Sequence, residues 1–137
     1  MPNKTFKLTA PKPFIPNEWE EQVQVFDYAE YAARQDPRWL LLFATLNGLK
    51  LTIGQAVKAK RAGMRRGVPD IWLPVLKRWP DGNIRWVGQV IDIKRVKGGV
   101  ESDAQKWWME RLREQCWKAD FCKGAKDTIA TLEEYLR

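Results

Sequence analysis

Apolar residues recur at helical spacing in four segments of the chain. These segments are residues 17–35, 55–62, 102–117 and 126–137. The first begins with Asn17, a favoured N-cap residue, and has three glutamates in its first turns, where the positive end of the helix dipole stabilises negative charge. Ser102 provides the same kind of start for the third segment. The pattern therefore predicts four helices.

Strand-like stretches lie between the predicted helices. Residues 39–46 form a continuous apolar run that fits a buried strand, although its lack of periodicity leaves a short helix open. Residues 70–77 and 84–94 flank an Asp-Gly dipeptide, which is typical of hairpin turns, so we expect them to pair as neighbouring strands. A further short strand is expected around Phe121.

The order of these elements predicts a single α/β domain over residues 18–137, with a central mixed β-sheet flanked by helices. Residues 1–17 contain four prolines and three lysines, a composition that does not sustain a helix. We interpret this segment as an extended basic arm.

Composition narrows the classes of partner. The chain has 137 residues, 45% of them hydrophobic, which suffices for one core, and 24 lysines and arginines against 17 acidic residues give a net charge of +7. Such a charge favours nucleic acid or an anionic membrane surface. There is neither an apolar run of about 18 residues nor an apolar signal core at the N-terminus. We therefore expect a cytoplasmic protein.

The chain contains no histidine and only two cysteines, Cys116 and Cys122. The two cysteines match neither a zinc cluster nor a redox pair, and the lack of imidazole excludes every mechanism that needs histidine as a base or metal ligand. Carboxylates and lysine remain as the groups for acid–base and metal chemistry.

One pair of segments concentrates such groups. Asp92 and Lys94 are two residues apart on a predicted strand, so their side chains emerge on the same face. Asp70 begins the strand expected to pair with it, which brings two carboxylates together. Clustered carboxylates repel unless a cation joins them, and oxygen ligands suit Mg²⁺ or Mn²⁺, metals that support phosphodiester hydrolysis.

The alternative is an exposed cross-strand pair worth less than about 1 kcal/mol. Against it, Asp92 lies within the apolar run of residues 87–93, where an unpaired buried charge is costly.

Pro69-Asp70 followed by Asp92-Ile93-Lys94 resembles the PD-(D/E)xK nuclease superfamily. More narrowly, four motifs in the family's order resemble the virus-type replication-repair nuclease (VRR-NUC) domain over residues 18–137. They are Glu18-Trp19-Glu20-Glu21-Gln22, Asn47-Gly48, Gly67-Val68-Pro69-Asp70 and Ser102-x-x-Gln105. The resemblance implies a restriction-endonuclease-like fold.

The resemblance also implies roles for particular residues. Asp70, Asp92 and the carbonyl of Ile93 would bind the metal, and Lys94 would be catalytic. This narrower family usually has glutamate where the present chain has Asp92, so the carboxylate is one methylene shorter here. The shorter side chain is expected to weaken or shift the metal.

A glutamate of the first helix would complete the metal site by the same resemblance. Glu21, directly before Gln22, is our choice, with Glu18 one turn earlier as the competitor. Gln105 matches the family's helix glutamine beside the site, although Ser102 and Gln105 also form a capping-box pattern that accounts for both residues structurally.

Basic residues precede Asp70 and are candidates for phosphate contacts, with an ordinary solvated face as the alternative. They are Lys58, Lys60, Arg61, Arg65 and Arg66. Asn47 is either a turn residue or a DNA contact.

The expected activity is hydrolysis of branched DNA such as Holliday junctions, leaving a 5′-phosphate, by a homodimeric bacterial or viral protein; this too is implied by the resemblance. Two alternative functions are also compatible with the sequence: a flap-directed or nonspecific nuclease, and a non-catalytic DNA-binding module. The eight tryptophans fall mostly within predicted elements, which disfavours a membrane-surface protein.

Overall fold

The computed structural model describes residues 16–45 and 50–137. Asn47 and nearly all of the expected N-terminal arm lie outside these residues. No helix in the described part of the chain is long and apolar enough to cross a membrane.

Four α-helices occur where the sequence predicts them. They are α1 (Glu18–Ala32), α2 (Ile53–Arg61), α3 (Asp103–Glu114) and α4 (Gly124–Leu136). The side chains of Asn17, Thr52 and Ser102 cap the first three by accepting hydrogen bonds from backbone N–H groups that have no partner within the helix. Local cap chemistry therefore fixes where these helices begin.

Six short strands form two sheets. They are β1 (Phe43–Ala44), β2 (Ile71–Leu73), β3 (Lys77–Arg78), β4 (Ile84–Trp86), β5 (Gly88–Lys94) and β6 (Trp117–Lys123). The main sheet has the order β1-β2-β5-β6, with β5 antiparallel to β2 and parallel to β6, and β3 pairs with β4 in a separate ribbon. The mixed α/β sheet expected from the sequence is confirmed.

The predicted hairpin forms, but each of its strands is broken into two. Pro74 has no N–H for the ladder, and the following residue turns back, with Val75 N donating to Leu73 O at 2.9 Å. At the tip, Trp79 N donates to Asn83 O at 2.8 Å, and Gly82 adopts a φ of 91°. The Asp-Gly turn is therefore where the sequence puts it, whereas the prediction of two uninterrupted strands is wrong.

Two further boundaries differ from expectation. Residues 37–41 form a 3-10 helix that Pro37 and the capping side chain of Asp36 initiate, so only Phe43 and Ala44 of the apolar run are strand. The third helix ends at Glu114 because the chain reverses at Cys116, whose φ is 66°. Trp117 consequently begins a strand instead of ending a helix.

Strand β5 is buried along its whole length because helices cover both faces of the sheet. On one face Ile91 and Ile93 pack in a core with Val25 of α1 and Leu132 of α4. On the other face Val90 packs with residues of α3 and β6, which are Met109, Leu112 and Ala119. A polar residue on β5 is therefore removed from water on either side.

Close packing around β5 predicts a cost for adding one methyl group. A Cβ on Gly88 would lie 2.4 Å from the Trp117 ring and 2.8 Å from the Leu73 carbonyl oxygen. We expect Gly88→Ala to lower the free energy of unfolding by about 1–3 kcal/mol, measured by urea denaturation. Gly54→Ala is the matched control, since that site in α2 is open, and it should be neutral or stabilising by up to about 1 kcal/mol. Equal effects of the two substitutions would contradict this account of β5.

Candidate active site

Asp92 and Lys94 lie on the face of β5 that α3 covers, and both are buried. The Lys94 ammonium donates to Gln105 Oε1 at 2.8 Å and lies 3.8 Å from Asp92 Oδ1. The Gln105 side-chain N–H completes the triangle by donating to Asp92 Oδ1 at 3.4 Å. The amide of α3 thus binds the lysine through its oxygen and the aspartate through its nitrogen.

Gln105 is oriented by the start of its own helix. Its backbone N–H donates to Ser102 Oγ at 3.2 Å, and its Oε1 accepts from Ser102 N at 2.9 Å. The same Oε1 therefore caps α3 and accepts from Lys94. The two interpretations of Gln105, capping residue and site residue, describe a single arrangement.

Asp70 enters from the start of β2, where its Oδ2 accepts from Ile93 N at 3.0 Å. Two groups hold the backbone at this point. Thr45 donates to Pro69 O at 2.7 Å and to Asp70 O at 2.8 Å, and the Trp72 indole donates to Pro69 O at 2.9 Å. These contacts fix the carboxylate beside β5.

The carboxyl groups of half-buried Asp70 and buried Asp92 meet beside β5. Burial, followed by the hydrogen bond with Asp70 and its charge, raises the pKa of Asp92 to about 9, although the charge of Lys94 opposes this shift. Asp92 Oδ2 is buried and accepts no hydrogen bond from the described residues. The carboxyl pair is therefore stable only when it shares a proton or binds a cation.

The two candidate glutamates of α1 occupy different surroundings. Glu21 is buried, and its Oε2 accepts from Ala125 N at 2.6 Å, at the first turn of α4. Glu18 is exposed, and its charge contributes to the raised pKa of Asp92. Glu21 therefore anchors α4 to α1, whereas Glu18 is the glutamate whose charge acts on the carboxyl pair.

The basic residues predicted from the sequence lie on α2 and on the loop that precedes Asp70 along the chain. Lys58, Lys60 and Arg61 occupy the last turn of α2, which buries none of its side chains. The loop carrying Arg65 and Arg66 is held against α3, as the Trp108 indole donates to Arg66 O at 3.0 Å. A groove of about 650 Å³ runs between α2 and this loop.

Three of the supporting residues carry no sequence signal. The hydroxyl of Thr45 and the indole of Trp108 donate to backbone carbonyls of distant segments, and the indole of Trp72 donates to the carbonyl of nearby Pro69. Threonine and tryptophan occur throughout strands and cores, and their partners depend on tertiary packing. Only the chain trace reveals them.

The high pKa of Asp92 predicts an unusual pH dependence of stability. A carboxyl group that binds its proton more tightly in the folded state makes folding less favourable as the pH rises from its ordinary pKa, about 4, to about 9. We expect the free energy of unfolding in EDTA to fall over this window, by at most about 1.4 kcal/mol per pH unit for this one proton.

Asp92→Asn should remove this contribution, since asparagine does not titrate. The matched control is Asp81→Asn, which changes an exposed aspartate of the hairpin turn and should keep the parent's slope. Urea denaturation at pH values from 5 to 9 gives the slopes. An unchanged slope in Asp92→Asn would exclude a buried, protonated Asp92.

Comparison with solved structures identifies a protein that is similar in fold. No family model matches the sequence, and no curated protein matches it. Among solved structures, a protein described as "VRR_NUC domain protein" superposes with a TM-score of 0.71 at 23% identity, covering 88% of each chain. The fold that the sequence motifs imply is therefore confirmed: the chain has the fold of this VRR_NUC domain protein.

Proposed function

We propose that the protein is a metal-dependent DNA nuclease that hydrolyses phosphodiester bonds. The observation that carries this proposal is the pair formed by half-buried Asp70 and buried Asp92, with the Lys94 ammonium beside it. Its position in the fold of a VRR_NUC domain protein supports the same activity. Since the chain has no histidine, these groups are also the natural acid–base and metal-binding set.

The carboxyl pair fits a hard divalent cation. Asp92 Oδ2 is buried without a hydrogen-bond donor among the described residues, and a cation would compensate the charge that otherwise forces protonation. No three acidic or cysteine side chains converge on one point in residues 16–45 and 50–137. Two carboxylates with several waters are typical of Mg²⁺, and Mn²⁺ accepts the same oxygen ligands.

We assign Asp70, Asp92 and the carbonyl of Ile93 as metal ligands. Glu18 and Glu21 remain the two candidates for the helix ligand, and the geometry favours Glu18 because Glu21 already accepts from Ala125 N. When bound, the metal would acidify the attacking water and neutralise charge on the phosphate.

The remaining chemistry belongs to the side chains of this protein. Lys94 is oriented by Gln105 and points its ammonium into the volume beside the carboxyl pair. There it would position the attacking water and stabilise negative charge that develops on the phosphate oxygens. Lys94 and Asp92 are both buried, and burial strengthens these electrostatic effects relative to water.

DNA is the substrate that the charge distribution favours. The net charge of +7 is accompanied by cations on α2 and on the adjacent loop, which would contact phosphates independently of base sequence. Lys58, Lys60, Arg65 and Arg66 are our candidates, and Asn47 remains a further candidate outside the described residues. Such a protein would act in the cytoplasm of a bacterium or of a virus-infected host.

We further propose branched DNA, including Holliday junctions, as the preferred substrate, with 5′-phosphate products. This preference is inferred from the sequence resemblance. One alternative is a flap-directed or nonspecific nuclease that uses the same site. Another is a non-catalytic DNA-binding module, which would result if the short Asp92 side chain fails to hold the metal.

Cleavage assays separate these activities. A labelled four-way junction, a 5′ flap and a linear duplex are incubated with Mg²⁺, Mn²⁺ or EDTA. We expect junction cleavage with metal only, and a loss of at least about 100-fold in rate for Lys94→Ala and Asp70→Asn, because both remove groups that act on the reacting phosphate.

Lys126→Ala changes an exposed lysine of α4 and should retain the parent rate within about two-fold. Binding of the junction without cleavage in Mg²⁺ or Mn²⁺ would contradict the nuclease proposal and favour a non-catalytic DNA-binding module. Normal cleavage by Lys94→Ala would show that the active site lies elsewhere.

An apolar surface supports the proposed homodimer. Among the described residues between positions 40 and 57, six large apolar side chains are exposed on the 3-10 helix, the edge strand β1 and the region of α2. They are Leu40, Leu41, Phe43, Leu51, Ile53 and Val57. Monomeric proteins rarely expose large apolar patches, so we propose that these side chains form the surface where two copies meet.

Light scattering during gel filtration tests the dimer. We expect a mass twice the 16.0 kDa of one chain, shifting toward 16.0 kDa in Ile53→Glu, since a charge at a residue 87% exposed would be buried only in the dimer. Val100→Glu is the control, as Val100 is 79% exposed and distant in sequence from this surface. A dimer unaffected by Ile53→Glu would place the interface elsewhere.

A further inference from the structure

The ribbon of β3 and β4 carries an aromatic and cationic stack that the proposed active site does not use. The Arg85 guanidinium lies between two indoles, 4.2 Å from the centre of the Trp79 ring and 4.0 Å from that of Trp86. The Lys118 ammonium lies 5.7 Å from the centre of the Trp86 ring. Cations and aromatic rings therefore alternate along this surface.

Trp79 is the exposed end of the stack. It is 47% exposed, follows directly after β3, and lines an open groove of about 520 Å³ with Pro80, Asp81, Asn83 and Ile84. Because Arg85 lies over its ring, the cation–π contact favours one orientation of the indole before any partner binds. A partner that stacks on Trp79 would lose little side-chain entropy in ordering it.

The charge of the ribbon favours a polyanion. Residues 77–86 contain three cations and one carboxylate, Asp81. Asp81 is occupied at the turn, where its two oxygens accept from the backbone and side-chain N–H groups of Asn83. Within residues 16–45 and 50–137, none of the three cations forms an ion pair with a carboxylate. Their charge is therefore available to phosphates.

An exposed indole beside uncompensated cations is the combination by which proteins bind single-stranded nucleic acid, with the bases stacking on the rings and the backbone following the charges. Bases in a duplex are already stacked on one another, so their faces do not reach Trp79. The chemistry thus favours an unpaired strand over a duplex.

We propose that the ribbon binds single-stranded DNA by stacking a base on Trp79. The ribbon extends from the end of β5 that is opposite to Asp92. Trp86 and Asp92 are six residues apart, roughly 20 Å at the rise of a β-strand. The contact therefore lies outside the reaction centre. It would select DNA substrates that contain an unpaired segment. Only this choice of DNA as the substrate class rests on the proposed nuclease function.

Fluorescence anisotropy in EDTA tests the proposal without requiring cleavage. The probes are a labelled 20-nucleotide oligothymidylate and a duplex of the same length. We expect Trp79→Ala to weaken binding of the single strand by at least about five-fold, and Trp79→Phe, which keeps an aromatic face, to retain most of the affinity. The duplex affinity should change by less than about two-fold.

Tyr31→Ala is the matched control. Tyr31 is also an exposed aromatic with an arginine over its ring, Arg34 at 5.9 Å, but it lies on α1 next to Glu30. It should bind like the parent. Circular dichroism melting shows whether Trp79→Ala remains folded, and Trp79→Phe provides the folded comparison where it does not.

The possible results separate this proposal from the nuclease proposal. Unchanged affinity in Trp79→Ala, an equal loss in Tyr31→Ala, or an equal loss for the duplex would each overturn base stacking on the ribbon. Weakened strand binding in a protein that cleaves no DNA would support the ribbon site while the nuclease proposal fails.

Discussion

The buried strand β5 is the constraint on which the rest of the molecule depends. All seven of its residues are buried, yet the strand carries Gln89, Asp92 and Lys94. Charged groups removed from water on both faces of a sheet are costly unless they are paired. The fold meets that constraint with the Gln105 amide of α3, which bonds both Asp92 and Lys94, and with a hydrogen bond between the carboxyl groups of Asp92 and Asp70. The surrounding apolar core thereby creates the low-dielectric volume in which this chemistry is strong.

Local patterns explain why so much of the arrangement was predictable. The caps Asn17 and Ser102 mark helix starts through bonds that span three residues, so sequence alone locates them. The period of two along β5 places Asp92 and Lys94 on one face, and the Asp-Gly turn brings Asp70 to them. These inferences need only neighbouring residues or one hairpin connection.

The parts that sequence did not predict depend on distant contacts or on single backbone angles. The 3-10 helix at residues 37–41 and a strand both suit an apolar run without periodicity. The left-handed conformation of Cys116 ends α3 early, and no residue preference announces it. The partner of Glu21 is the backbone N–H of Ala125, 104 residues away along the chain, and no sequence pattern indicates that contact.

Gln105 Oε1 accepts from both Lys94 and the first turn of α3, so the mobility of this lysine is coupled to that of the helix start. Helix ends open more readily than helix centres, on timescales far shorter than global unfolding. Because Gln105 Oε1 receives both Ser102 N and the Lys94 ammonium, each opening of that first turn also releases the lysine. A ligand that fixes Lys94 would slow hydrogen exchange at the start of α3. The order of the candidate site is thus coupled to the fraying of one helix turn.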